Sequence, residues 1–464
     1  MFLAIVAALT LLSTVVVTKA NFDLWLFVFI YVSPKQYTSL SQYQVCNWRN
    51  EGDVRFYGPQ LAAGHQHKTD RREDRTPQAT VSIMKRPDHA LVANCRKPIS
   101  RHCQIIGKHV HSGFRGHRNG AGFMPDNQFG RVLVGSPELL KPSFDEWAAI
   151  PVDHEMPAAA GWQADRYQNT LAAPMSVTGP GTYRAKATRT LEFQPSDEEG
   201  WLLDRVDLQD SLPIRVTASN VWTTFRNIVL CSGSPHNYLR MVEHIVALRL
   251  GLGLDNVTIK LNSGDPPLFD RSSLDMVEAA EKAGIEAQTR PVRYITVKEP
   301  VSAVGPNGSF LAFLPCTRGE MPRLKLDCCV NFPSAIGIQR VRFDVTKASF
   351  KHGSYARTNA TLGMMIYCKT IGKLFADIRH LGYTRQNILI AGRTEYLSEP
   401  RMMHNGKSLE AVWHRATLDL LAAIALIDTG RFAGTVISYK AGHALDVLMI
   451  KKLYKNKLFV PVEW

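Results

Sequence analysis

The second half of this chain carries the clearest alternation of apolar and polar positions. Residues 214–218 (Ile-Arg-Val-Thr-Ala) switch at every step, as a strand with one buried face does. Over 236–250 the apolar residues Leu239, Val242, Ile245, Val246 and Leu250 recur at helical spacing, and Gly251-Leu-Gly253 supplies the glycines that end such a helix. The pattern then predicts a strand over 256–261, a helix over 272–283 and a strand over 292–297. It recurs as strands over 310–314, 324–330 and 341–345, a helix over 411–429, a strand over 435–439 and a helix over 442–454. Strands with helices, twice over, predict an α+β fold: two similar two-layer α/β sandwich domains packed against each other, with the boundary near 288–298.

The first part of the chain reads differently. Residues 1–33 hold two apolar stretches, each short for a membrane span. They are read as an apolar leader, a membrane anchor or a start placed too far upstream, with Met84 as an internal alternative. Residues 34–92 are polar and basic without lasting periodicity and are read as a disordered linker. Domain I is then expected over 93–290, with a Pro-, Gly- and Ala-rich insert at about 130–190. Domain II is expected over 291–464, with a small insert at about 359–392.

Charge sharpens this only slightly. The net charge is +14, and 34–118 holds 15 Lys/Arg against 6 Asp/Glu. Basic character suits an anionic partner. Aromatic residues do not interleave with the basic ones in any regular pattern, so no nucleic acid is expected; membrane contact is assigned to 1–33. The His65–His67 pair suits a metal or, more often, a solvated loop. The eight cysteines, Cys46, Cys95, Cys103, Cys231, Cys316, Cys328, Cys329 and Cys368, show no C-x-x-C spacing. They read as reduced thiols of a cytosolic catalytic region.

Three distant segments together hold the parts of a metal hydrolase. Glu243-His244 offers a carboxylate beside an imidazole, although a surface Glu-His pair is the commoner reading. His414 and Asp419 offer a second imidazole and carboxylate. They are five apart, about 140° round an ideal helix, so they share a metal only if the helix bulges between them. Lys440-Ala-Gly442-His443 lies where a strand gives way to a helix, so free backbone N–H groups and a Lys could meet an anion. The same loop also reads as a plain strand-to-helix connection.

These motifs resemble the UDP-3-O-acyl-N-acetylglucosamine deacetylase family, the zinc enzymes of lipid A synthesis in Gram-negative-type bacteria. The likeness rests on 241–256 (Met-Val-Glu-His-Ile-Val-Ala-Leu-Arg-Leu-Gly-Leu-Gly-Leu-Asp-Asn), 264–270 (Gly-Asp-Pro-Pro-Leu-Phe-Asp) and 438–445 (Ser-Tyr-Lys-Ala-Gly-His-Ala-Leu). Weaker matches are His111-Ser-Gly113, Ile336-Gly-Ile-Gln339 and Ala356-Arg-Thr358. The resemblance implies Zn2+ held by His244, His414 and Asp419, Glu243 as general base, Thr358 as oxyanion donor and His443 as general acid. It further implies Lys440, Arg415 and Gly442 against a UDP-linked acylated amino sugar, Met364 and Met365 along its acyl chain, and a monomer. A core helix is the competing reading of the Met-rich stretch. Departures accompany the likeness. The family spaces its His and Asp ligands by four, and its second carboxylate, which supports the general acid, is Ala423 here. Asn359 stands for the usual Phe. A catalytically weak relative that binds nucleotide sugar or a membrane surface is therefore the alternative.

Overall fold

The structure is a computed structural model that describes residues 130–374 and 379–464. The expectations for 1–33, 34–92, Met84, the His65–His67 pair and His111-Ser-Gly113, and the first three cysteines, lie outside the described residues. The fold is α+β. Helices α1 (Pro137–Ala149), α2 (Glu243–Gly251), α3 (Leu274–Ala283), α4 (Lys347–Gly353) and α5 (Leu362–Lys369) precede the site's central helix. That helix runs as α6 (Glu410–His414), a π-helical turn (Arg415–Leu420) and α7 (Leu421–Ala425), and α8 (His443–Lys455) follows.

Two larger sheets frame these helices. One has five strands, in the order Met175–Pro180, Thr188–Pro195, Val257–Leu261, Trp201–Arg205 and Ile214–Arg215. The other has seven: Arg131–Val134, Val301–Val304, Phe310–Pro315, Gly434–Tyr439, Leu324–Phe332, Gly337–Asp344 and His154–Met156. One continuous core takes Phe193, Trp201 and Ile259 from the first sheet, Leu326, Phe343 and Val436 from the second, and Val246, Trp413, Leu421 and Ile424 from the helices. Among the described residues no helix is long and apolar enough to cross a membrane. The described cysteines are all free, and burial pushes the Cys328 and Cys329 thiols up to about 12.

Most elements fall where periodicity puts them, and one expectation is corrected. Segment 130–190 is no excursion. Arg131–Val134 pairs in parallel with Val301–Val304, and His154–Met156 pairs in parallel with Gly337–Asp344, at the two ends of the seven-stranded sheet. So the sequence boundary near 288–298 does not separate the sheets. These edge strands are only four and three residues long, too short to impose an alternation.

One buried ion pair ties the segment bearing Thr358 to the helix bearing His414. Arg357 donates from Nε and Nη2 to Glu410 Oε1 and Oε2 at 2.6 and 3.0 Å, and its backbone N–H donates to Oε1 at 3.1 Å. Its remaining N–H groups reach the carbonyls of Arg385 and Glu399. Removing one partner strands the other charge in the core. Arg357→Met is expected to lower folding stability by about 3–5 kcal/mol, read from the denaturant midpoint. A loss under about 1 kcal/mol would mean that the pair is solvated.

Candidate active site

The sequence segments converge on one cavity of about 450 Å³, lined by Glu243, His244, Thr358, His414, Asp419 and His443 among others. Glu243 and His244 open α2. The chain enters it through Met241, held at φ 55, a left-handed conformation rare for a side-chain-bearing residue and common at functional sites. Glu243 is 2% exposed, and its Oε1 accepts from the Ile228 N–H. Its Oε2 has no partner among the described residues. Burial raises the Glu243 carboxyl above the usual range, His443 opposing and Asp419 adding to the shift.

His244 is held from behind. Its Nδ1 lies 3.2 Å from Ser272 Oγ and 3.4 Å from Ser273 Oγ. A proton kept at Nδ1 by these hydroxyls leaves Nε2 as the lone pair facing the cavity. Burial, with His414 beside it, drives the His244 ring down to about 3, so it is neutral at any ordinary pH. Ser272 is again left-handed, at φ 58. No motif marks these serines, because only the fold brings the start of α3 to α2.

The five-residue interval between His414 and Asp419 is resolved by the π turn. Widening the helix over Arg415–Leu420 absorbs the extra residue, and His414 Nδ1 comes 3.6 Å from Asp419 Oδ2. Two contacts explain why the turn forms here. The Thr417 hydroxyl donates to the Trp413 carbonyl at 2.6 Å, an i−4 back-bond that bends helices. Gly353 on α4 leaves room for Thr417, since a Cβ there would sit 2.3 Å from its methyl carbon. Burial alone would raise the Asp419 carboxyl, but His414, His443 and Arg415 outweigh it and hold it well below the usual range.

Across the cavity, His244 Nε2 and His414 Nε2 are 3.3 Å apart. Thr358 Oγ1 lies 3.3 Å from the first and 3.0 Å from the second. Two nitrogens on tetrahedral zinc, each at about 2.0–2.1 Å, stand roughly 3.3 Å apart. The imidazole pair therefore fits two ligand positions. Asp419 approaches His414 through the ring's other nitrogen, and among the described residues no three His, Cys, Asp or Glu side chains close on a single point. The donor types, two imidazoles and an ionised carboxylate, are those of a catalytic zinc set with an open position.

His443 begins α8 beyond the left-handed Lys440 (φ 52). Its Nε2 lies 3.6 Å from Glu243 Oε1 and 3.9 Å from Asp419 Oδ1. Burial lowers the ring's pKa, but the two carboxylates outweigh it and raise it above the ordinary value.

These arrangements meet known proteins at one point. Residues 168–455 match the model of the UDP-3-O-acyl N-acetylglycosamine deacetylases. The chain belongs to this family. Relatives named UDP-3-O-acyl-N-acetylglucosamine deacetylase from Brucella ovis, Brucella canis and Brucella suis are each 27% identical over 298 residues, which is 63% of this chain and 96% of each relative.

Family membership does not carry every expected contact onto the cavity. Lys440 is turned away: its Nζ lies 3.1 Å from both Glu146 carboxylate oxygens on α1 and 4.5 Å from the Tyr439 ring. Arg415 is buried within the protein. Its Nε donates to the Ala441 carbonyl at 2.9 Å, and its Nη2 donates to Ser438 Oγ at 3.2 Å and Asp446 Oδ1 at 2.7 Å. Gly442 caps α8 in an extended conformation, exposed and outside the cavity lining. On α5, Met364 lines the cavity while Met365 packs into a small core with Ile388 and Ile390. Adjacent residues of a helix project about 100° apart, so one Met faces the cavity and its neighbour the small core. Tyr183, Arg226, Asn227 and Phe332 also line the cavity. No motif marked them, since Tyr183 lies in one loop, Arg226 and Asn227 in another, and Phe332 at a strand end.

Proposed function

We propose that this protein hydrolyses the N-acetyl group of UDP-3-O-acyl-N-acetylglucosamine with Zn2+ held by His244, His414 and Asp419, as a step of lipid A synthesis. The observation that supports this most is the gathering of Glu243, His244, Thr358, His414, Asp419 and His443 around one cavity, in a chain of this family. When bound, the metal supplies Lewis acidity toward the acetamide carbonyl and lowers the pKa of the attacking water.

The chain's own residues do the rest. Glu243 Oε2, without a partner among the described residues, takes the proton from that water. Its raised pKa suits a base that must later give the proton up. The Thr358 hydroxyl, between the two imidazoles, donates to the carbonyl oxygen as it becomes an oxyanion. His443, whose pKa Asp419 and Glu243 raise against the effect of burial, gives its Nε2 proton to the leaving amine. Phe332, Ile336, Met364 and Cys368 line the cavity and offer the acyl chain an apolar wall with an adaptable Met in it. Arg226, also in the lining, is the cation nearest to hand for the diphosphate.

The test is acetate release from UDP-3-O-acyl-N-acetylglucosamine by the full chain, with and without a zinc chelator. Turnover that the chelator abolishes and added Zn2+ restores is expected. Folded, zinc-supplied protein with no turnover would remove the enzyme reading in favour of a nucleotide-sugar-binding relative. Turnover indifferent to the chelator would remove the metal.

A further inference from the structure

Two buried polar atoms, one turn apart on α8, have no partner among the described residues: His443 Nδ1 and Asp446 Oδ2. The His443 ring turns its Nε2 to Glu243 and Asp419, so Nδ1 is the nitrogen left on the other side. Asp446 is fully buried and uses only Oδ1, which accepts from Arg415. Residues three apart on a helix share a face and lie within side-chain reach of each other. A buried donor and a buried acceptor at that spacing, each otherwise unsatisfied, belong together.

We propose that Asp446 is the positioning residue of His443: through one bridging water its Oδ2 accepts the Nδ1 proton and fixes the imidazole with Nε2 toward the scissile amide. The proposal rests on the reading of His443 as general acid. It accounts for a departure seen in the sequence. The helix position from which the family supports its general acid is Ala423, buried and without a polar atom on its side chain. In this chain the buried carboxylate near the general acid lies on the general acid's own helix, at Asp446.

Burial raises the Asp446 carboxyl above its ordinary range, and Arg415 opposes that shift. An isolated buried carboxylate would shed its charge. Arg415, the first residue of the π turn, donates to Asp446 and also to Ala441 and Ser438, just ahead of His443. So the turn that brings Asp419 to His414 also supplies the cation that steadies Asp446. The competing account makes Asp446 a counterion for Arg415 and nothing more.

The experiment reads the ring proton directly. In full-length protein labelled with 15N-histidine, the His443 signals are assigned by their loss in His443→Gln. The expected result is a slowly exchanging, downfield Nδ1–H on His443 that moves in Asp446→Asn. That variant should also lose roughly 10–100-fold in kcat per folded molecule, with KM within about twofold. A His443 that carries its proton on Nε2 alone, or an Nδ1–H unmoved in folded Asp446→Asn, overturns the proposal. The wild-type spectrum decides the matter even if Asp446→Asn does not fold. It needs no substrate, so an inactive parent would remove the deacetylase reading and leave this test standing.

Discussion

Glu243→Gln is expected to lower kcat by about 10²–10⁴-fold while folding stability and bound zinc stay as they are. The substitution is nearly isosteric. Gln keeps an oxygen to accept the Ile228 N–H, so the short contact that seats the side chain survives. What it loses is the basicity of Oε2, which has no partner among the described residues. Exchanging a fully buried carboxylate for an amide also removes a desolvation cost, so the melting temperature should hold or rise slightly. Comparing kcat for acetate release, zinc per chain and thermal melts on one preparation separates these effects. A fall in kcat under tenfold would remove Glu243 from the role of base. A lower melting temperature would mean that the carboxylate holds the fold instead.

Much of the fold was readable because its central elements obey one period each. The strand Val257–Leu261 begins one residue from where alternation places it, and Gly434–Tyr439 and α8 are displaced by one as well. The 236–250 helix was drawn too long at its start. Tyr238–Leu239 is a strand, and the left-handed Met241 keeps the helix from reaching further back than Glu243. Strands over 131–134 and 154–156 were missed because pairing at distant sheet edges, rather than local periodicity, makes them. For the site, the legible residues were those whose chemistry repeats a motif: Glu243, His244, His414, Asp419 and His443 all reach the cavity. Lys440 and Arg415 were misread because a cation's direction depends on its counterion. Glu146 and Asp446 sit 294 and 31 residues away from them. Spacing says nothing of such partners.

The interval between His414 and Asp419 yields the sharpest expectation, because each added or removed residue turns a helix by about 100°. A regular α-helix would carry Asp419 about 140° away from His414, yet the π turn leaves them 3.6 Å apart. One further residue, an Ala inserted between Ala416 and Thr417, has no second bulge to absorb it. It should swing Asp419 off the site, weaken zinc by more than the roughly 10–100-fold that losing an outer hydrogen-bond partner costs, and abolish turnover. Deleting Ala416 should do the opposite. It restores a four-residue interval, which places both side chains on one face of an ordinary helix, and zinc affinity should stay within about tenfold of the parent. The deletion also removes the turn that presents Arg415 to Asp446, so kcat should fall even though the metal stays. Zinc titration against a competing chelator, read beside kcat, distinguishes the two variants. If the insertion binds zinc as tightly as the parent, Asp419 is not a ligand. If the deletion loses zinc as badly as the insertion, the π turn rather than the interval sets the metal site.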